Sequence, residues 1–136
     1  TLHSMVNLAE QNSRMGRHKE AISLMDDVVQ LAKAILGTFN VTTLYWMGRL
    51  ADLYNDDDRP LEALQLGKQV LEMQKEHLGL THHNTVHSMI RLAVFERKMG
   101  DIEEAVKLAK QAARLHREKL GTTHPETIQA MEFLRL

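Results

Sequence analysis

Apolar residues follow a helical rhythm that restarts along the chain. Leu2, Met5, Leu8 and Ala9 are spaced as one face of a helix, and the same spacing returns at Leu44, Met47, Leu50 and Ala51 and again at Val86, Met89, Leu92 and Ala93. Between these runs lie longer amphipathic stretches. They open on Glu20-Ala21, Glu62-Ala63 and Glu104-Ala105 and close on Leu36-Gly37, Leu78-Gly79 and Leu120-Gly121. The period is 42 residues, needs no insertion or deletion, and leaves nine columns identical in all three copies, Thr1/Thr43/Thr85 and Leu24/Leu66/Leu108 among them.

Each copy therefore predicts two helices. The first stops near Gly16, Asp58 or Gly100, because Gly enters the left-handed conformation freely and Asp does so more readily than most residues. The second starts at once. Pro60 suits a first helical turn, where its missing N–H costs nothing. Asp101 with Glu104 fits a reciprocal capping box, and Glu20 and Glu62 hold the same third position. This helix is expected to run for about 18 residues, or about 27 Å. Gly37, Gly79 and Gly121 then suit a left-handed C-terminal cap.

The recurrent alanines mark places where two helices close on each other, flanked by large Met and Leu side chains. One such pair cannot bury its apolar face alone, whereas stacked pairs can, which predicts an all-α solenoid. The copies are residues 1–42, 43–84 and 85–126, with 127–136 as a partial fourth repeat or capping helix. A chain that starts in a first helix and stops inside another is expected to belong to a longer array, or to use its last helix as a cap.

Composition narrows the function. Across 136 residues, 17 basic and 18 acidic side chains leave a net charge of -1, which favours neither nucleic acid nor an anionic membrane. Cysteine is absent, removing disulfides, thiolate metal sites and Cys nucleophiles. No apolar run approaches the roughly 18 residues of a membrane span and no signal peptide is visible, so a cytoplasmic or nuclear setting is expected by elimination. There is no phosphate loop, dinucleotide-binding glycine motif or catalytic triad pattern. The reading is a non-catalytic protein without cofactor.

The repeat resembles the tetratricopeptide repeat in its 42-residue form, found in kinesin light chains, nephrocystin-like proteins and the sensor arrays of NLR-type ATPases. The resemblance rests on Asn7-Leu8-Ala9, Gly16, Glu20-Ala21 and the run Leu120-Gly121-Thr122-Thr123-His124-Pro125-Glu126-Thr127. The first two junctions, Asn40-Val41-Thr42-Thr43 and His82-His83-Asn84-Thr85, lack the proline, and Asp58 replaces a turn glycine. The family implies a right-handed superhelix that binds a protein or peptide ligand in a concave groove lined by the first helices. The alternatives are the ligand-sensing array of an NLR-like signalling ATPase and a segment that self-associates weakly through its open ends.

Mapped through the resemblance, the groove columns hold His3, Val6, Glu10, Ser13 and Arg14; then Tyr45, Gly48, Asp52, Asn55 and Asp56; then His87, Ile90, Val94, Arg97 and Lys98; the last helix adds Gln129 and Glu132. These columns vary while the packing columns do not, as on a surface free to specialise. The groove is expected to be acidic in the second repeat and basic in the third. Tyr45, Asp52 and Asp56 would form one subsite, and His87, Arg97 and Lys98 the next. His82, His83 and His87 lack an accompanying acid or Cys, so capping or surface roles are expected of them rather than metal binding. Lys107, Lys110, Arg114 and Arg117 form a basic stripe, but their columns are polar in every repeat, which marks the outer face of the second helix. Trp46 stands where the other repeats have Ser4 and Ser88 and either plugs a junction or is exposed.

Overall fold

The computed structural model describes residues 1–120. Within them the chain forms six α-helices: α1 (Leu2–Arg14), α2 (His18–Leu36), α3 (Val41–Asp56), α4 (Pro60–His77), α5 (His83–Lys98) and α6 (Ile102–Leu120). They pair as α1–α2, α3–α4 and α5–α6, and each pair stacks on the next through α2 against α3 and α4 against α5. The cap at Gly121 and a helix over 127–136 lie outside the described residues.

The turn inside each pair repeats at a spacing of 42: Gly16, Asp58 and Gly100 take φ of 79°, 57° and 92°. At each, the N–H of the following residue bonds back to the carbonyl five positions earlier, Arg17 to Asn12, Arg59 to Tyr54 and Asp101 to Glu96, at 2.8–2.9 Å. Asp58 is the non-glycine in this role, as its short polar side chain permits.

The helix starts depart from the expected boxes. Asp101 Oδ1 accepts from the Glu104 N–H at 3.2 Å, but the Asp101 N–H is taken by Glu96, so only half of the reciprocal pair forms. Arg17 and Arg59 make no side-chain cap, and Glu62 instead binds the Arg59 guanidinium. Pro60 stands in the first turn of α4 as expected. Asn40 and His82 cap α3 and α5, accepting from the N–H groups of Thr42 and Asn84 at 2.9 and 3.1 Å. At the far end of α2, Gly37 has φ 95° and ψ 151°. That is the extended mirror region open essentially to glycine, rather than the left-handed cap expected.

The alanines of the two crossing columns, Ala9, Ala51 and Ala93 on the first helices and Ala21, Ala63 and Ala105 on the second, are buried. Leu8 shows why stacking matters. It is 51% exposed, whereas Leu50 and Leu92 in the same column are 4% and 5% exposed, covered by the preceding pair. Junctions also trade volume. Gly67 lies mid-helix in α4, and a Cβ there would sit 3.2 Å from the Phe95 ring. The same columns carry Met25 and Leu53 one repeat earlier, both buried. Trp46 is buried as well, and its ring meets His3 edge-on at 5.5 Å, so it plugs the junction between α1–α2 and α3.

Replacing Ala63 by Leu forces extra methylenes into a crossing with no free space. A destabilisation of about 1–3 kcal/mol is expected from overpacking, read from denaturant unfolding. A wild-type midpoint would show that the crossing is loose.

Candidate functional site

The face formed by α1, α3 and α5 carries the expected groove residues. Glu10, Ser13 and Arg14 of α1 face Arg49, Asp52, Leu53 and Asp56 of α3 across a pocket of about 210 Å³. Tyr45 is not part of this pocket. It sits 11 residues before Asp56 on the same helix, about 16 Å along the axis, so the expected Tyr45–Asp52–Asp56 subsite is divided. Tyr45 is exposed, His3 packs against Trp46, and the His87 ring lies parallel to His83 at 6.3 Å. Val6 and Val94 are half-buried against the core. Ile90 is fully within it, so this residue serves packing and not the groove surface. Gln129 and Glu132 lie outside the described residues.

Two arginines that the column mapping passes over organise the pocket. Arg49 Nη2 donates to Glu10 at 3.0 Å, and Arg91 Nε donates to Asp52 Oδ1 at 2.8 Å; each bond spans 39 residues. Arg49 Nη1 also reaches Asp52 at 3.4 Å. A continuous chain of charge, Glu10–Arg49–Asp52–Arg91, thus runs across the stacked first helices. Of the acids expected in the second repeat it neutralises Asp52. The arginines were detectable in principle. They stand in the column of Asn7, three short of a full period from each acid, where opposite charges recur.

Gly48 is part of the same device. A Cβ on it would fall 2.5 Å from Arg91 Nη1, so the bare backbone leaves the path by which the guanidinium, only 9% exposed, reaches Asp52. Farther along, Lys98 Nζ donates to the Asn55 carbonyl at 3.3 Å and approaches Asp58 at 3.7 Å, tying α5 to the turn after α3. Arg97 is exposed beside it.

Asp56 keeps a free-standing carboxylate at the pocket edge. Partial burial, and then the neighbouring Asp52 charge, raise its pKa; His18, Arg49 and Lys98 oppose the shift. The arrangement offers hydrogen-bond donors and acceptors of both signs on rigid helices. Among the described residues no three His, Asp or Glu groups stand close enough to hold a metal ion, and no helix is long and apolar enough to cross a membrane.

Family models of the tetratricopeptide repeat match residues 1–76 and 85–126, and the chain belongs to that family. A search of curated proteins found no match. Among solved structures, the nearly identical TPR-like repeats assigned to a kinesin light chain of Podosopora anserina share 27% identity, with a TM-score of 0.90, over 98% of this chain and 63% of that one. BtubC (BKLC) from P. vanneervenii shares 16%, with a TM-score of 0.85, over 98% of this chain and 53% of that one. PcrH, solved in complex with the chaperone binding region of PopB, shares 14%, with a TM-score of 0.71, over 98% and 94%. The chain thus spans about three fifths of the Podosopora repeats and about half of BtubC. The array is of the kinesin-light-chain type, and the family is one of non-catalytic interaction scaffolds.

Two outcomes follow from this geometry. Gly48→Ala should gain about 1 kcal/mol of helix propensity in an Arg91→Ala background and little or nothing in the wild type, where it displaces Arg91 from Asp52. A double-mutant cycle in denaturant reads the coupling, and equal effects in both backgrounds would exclude it. The raised pKa of Asp56 means that the folded state holds its proton more tightly than the unfolded chain. Stability contributed by that proton is lost as pH rises from about 3.9, the ordinary Asp value, through the folded value. Asp56→Asn should therefore stabilise at pH 7 by about 0.5 kcal/mol or less and give no gain at pH 3. Urea unfolding at the two pH values checks the sign.

Proposed function

We propose that the α1–α3–α5 face is a concave groove that binds a peptide or protein segment. The observation that carries the reading is the contrast between columns. Packing positions repeat without change, whereas the positions on this face differ in charge, size and hydrogen bonding from one helix to the next. Stacked repeats create extended concave surfaces of this kind. Its rigid elements include Tyr45, which offers a large contact area at low rotamer cost, and the polar pocket around Asp56. The similarly folded PcrH carries a segment of PopB, which supports a polypeptide ligand as the class. The groove discriminates by position: mixed charge at the α1–α3 pocket, the Tyr45 ring toward one end, and the cations Arg97 and Lys98 at α5.

A partner isolated with the intact chain provides the test. In calorimetry against that partner, Tyr45→Ala and Arg97→Ala should each weaken binding by about 1–3 kcal/mol, as loss of a buried aromatic contact or a charged hydrogen bond does. Lys110→Ala, on the outer face of α6, should change it by less than about 1 kcal/mol. The reverse pattern would move the binding surface to the second helices.

A further inference from the structure

The opposite side of the stack carries a site of different chemistry. Successive second helices do not pack along one another; α2 and α4, and α4 and α6, meet at most at isolated points. Each gap leaves a cleft floored by the intervening first helix, about 340 Å³ between α2 and α4 and about 430 Å³ between α4 and α6. The clefts are related by the 42-residue period, so their differences can be read position by position.

In the first cleft Tyr54 and Glu62 stand at one end. Between them the chain supplies its own cation: the Arg59 guanidinium lies 4.8 Å from the Tyr54 ring centre and binds Glu62. One period later the three positions read Glu96, Asp101 and Glu104. The aromatic ring and the arginine have both become acids, while the acid that held the arginine is retained. All three line the second cleft, together with Leu92 on its floor and Leu71 and Leu108 on its walls.

Glu96 is the telling residue. Its side chain is 5% exposed, and Lys68, 59% exposed and reaching over from α4, lies 3.6 Å away. A carboxylate taken out of water is costly unless it is paired and hydrogen-bonded, and one largely exposed ammonium at that distance is a weak partner. Glu72, which also lines the cleft, is already shared with Lys75. The charge balance at the Glu96 end is therefore negative.

We infer that the α4–α6 cleft binds an arginine side chain of a partner polypeptide. Its guanidinium would occupy the place that Arg59 fills in the preceding repeat. The aliphatic stem would lie on the leucine floor, as long basic side chains do on apolar surface. The planar fork would meet Glu96 and Glu104, a geometry that an ammonium cannot reproduce. This site stands apart from the proposed groove, on another face and with its own ligand class.

The test uses the capped tripeptide Ala-Arg-Ala, titrated into the isotope-labelled chain and followed by amide chemical shifts. Saturable shifts are expected around Glu96 and Glu104 and not around Tyr54. The citrulline counterpart, of the same shape but uncharged, should not bind, and the lysine counterpart should bind more weakly. Glu96→Gln should weaken binding about ten-fold, as loss of a charge-assisted bond does. Lys68→Ala should tighten it about three-fold by removing a resident competitor, a sign that a purely structural role of Lys68 would not produce. Asp101→Arg should abolish binding by restoring the internal cation; the column tolerates arginine, since it carries Arg17 and Arg59. Should Glu96→Gln unfold the chain, Lys68→Ala and Asp101→Arg decide the matter alone. Equal binding of the citrulline peptide, shifts confined to the α1–α3–α5 face, or weaker binding by Lys68→Ala would overturn the inference.

Discussion

Close approach of two helices at alanine columns is the constraint from which the rest of this structure follows. Ala9, Ala51 and Ala93 meet the second helices, and Ala21, Ala63 and Ala105 meet the first, all buried. A methyl at each crossing lets backbones come near enough for the flanking Met and Leu side chains to interdigitate. The pair so formed still shows an apolar face, as Leu8 does, and only a neighbouring pair covers it. Stacking is thus a condition of burial, and the two long faces of the stack are its consequence. The first helices line one face and the splayed second helices line the other.

The two faces differ physically. On the first-helix side, neighbours are close enough for side chains to bridge them, and the Glu10–Arg49–Asp52–Arg91 chain does so. Part of its charge serves cohesion between pairs, which reduces what a ligand meets there. Gly48 is the concession that makes one bridge possible, and Gly67 makes a comparable one for the Phe95 ring. On the second-helix side the helices part, and clefts with apolar floors open between them. At the end of one cleft Arg59 lies over the Tyr54 ring and binds Glu62; the other cleft presents carboxylates at the positions of Tyr54 and Arg59.

Fold and family were legible in the sequence because they rest on local and periodic information. Helical spacing, a glycine or Asp58 at each intra-pair turn, and alanines in fixed columns are properties of short segments repeated in register. Turn positions at 16, 58 and 100 and second helices of 19, 18 and 19 residues agree with that reading. Capping was less legible, since Glu62 has two available partners and the Arg59 side chain outcompetes a backbone N–H already bonded to Tyr54.

Which charged residues remain available to a partner was decided only by tertiary structure. Asp52 and Glu10 look free along the chain, and each is claimed by an arginine 39 residues away, brought near by the offset of stacked pairs. Ile90 shares a column with Val6, which is only half-buried, yet is itself buried, because exposure depends on what packs over a position and not on its column alone. Glu96 carries no local sign of burial; the cleft around it exists because α4 and α6 part above α5. The sequence by itself determined the repeating unit, whose contacts are short in range. The sites lie between units, where geometry accumulated over a full period sets which side chains meet.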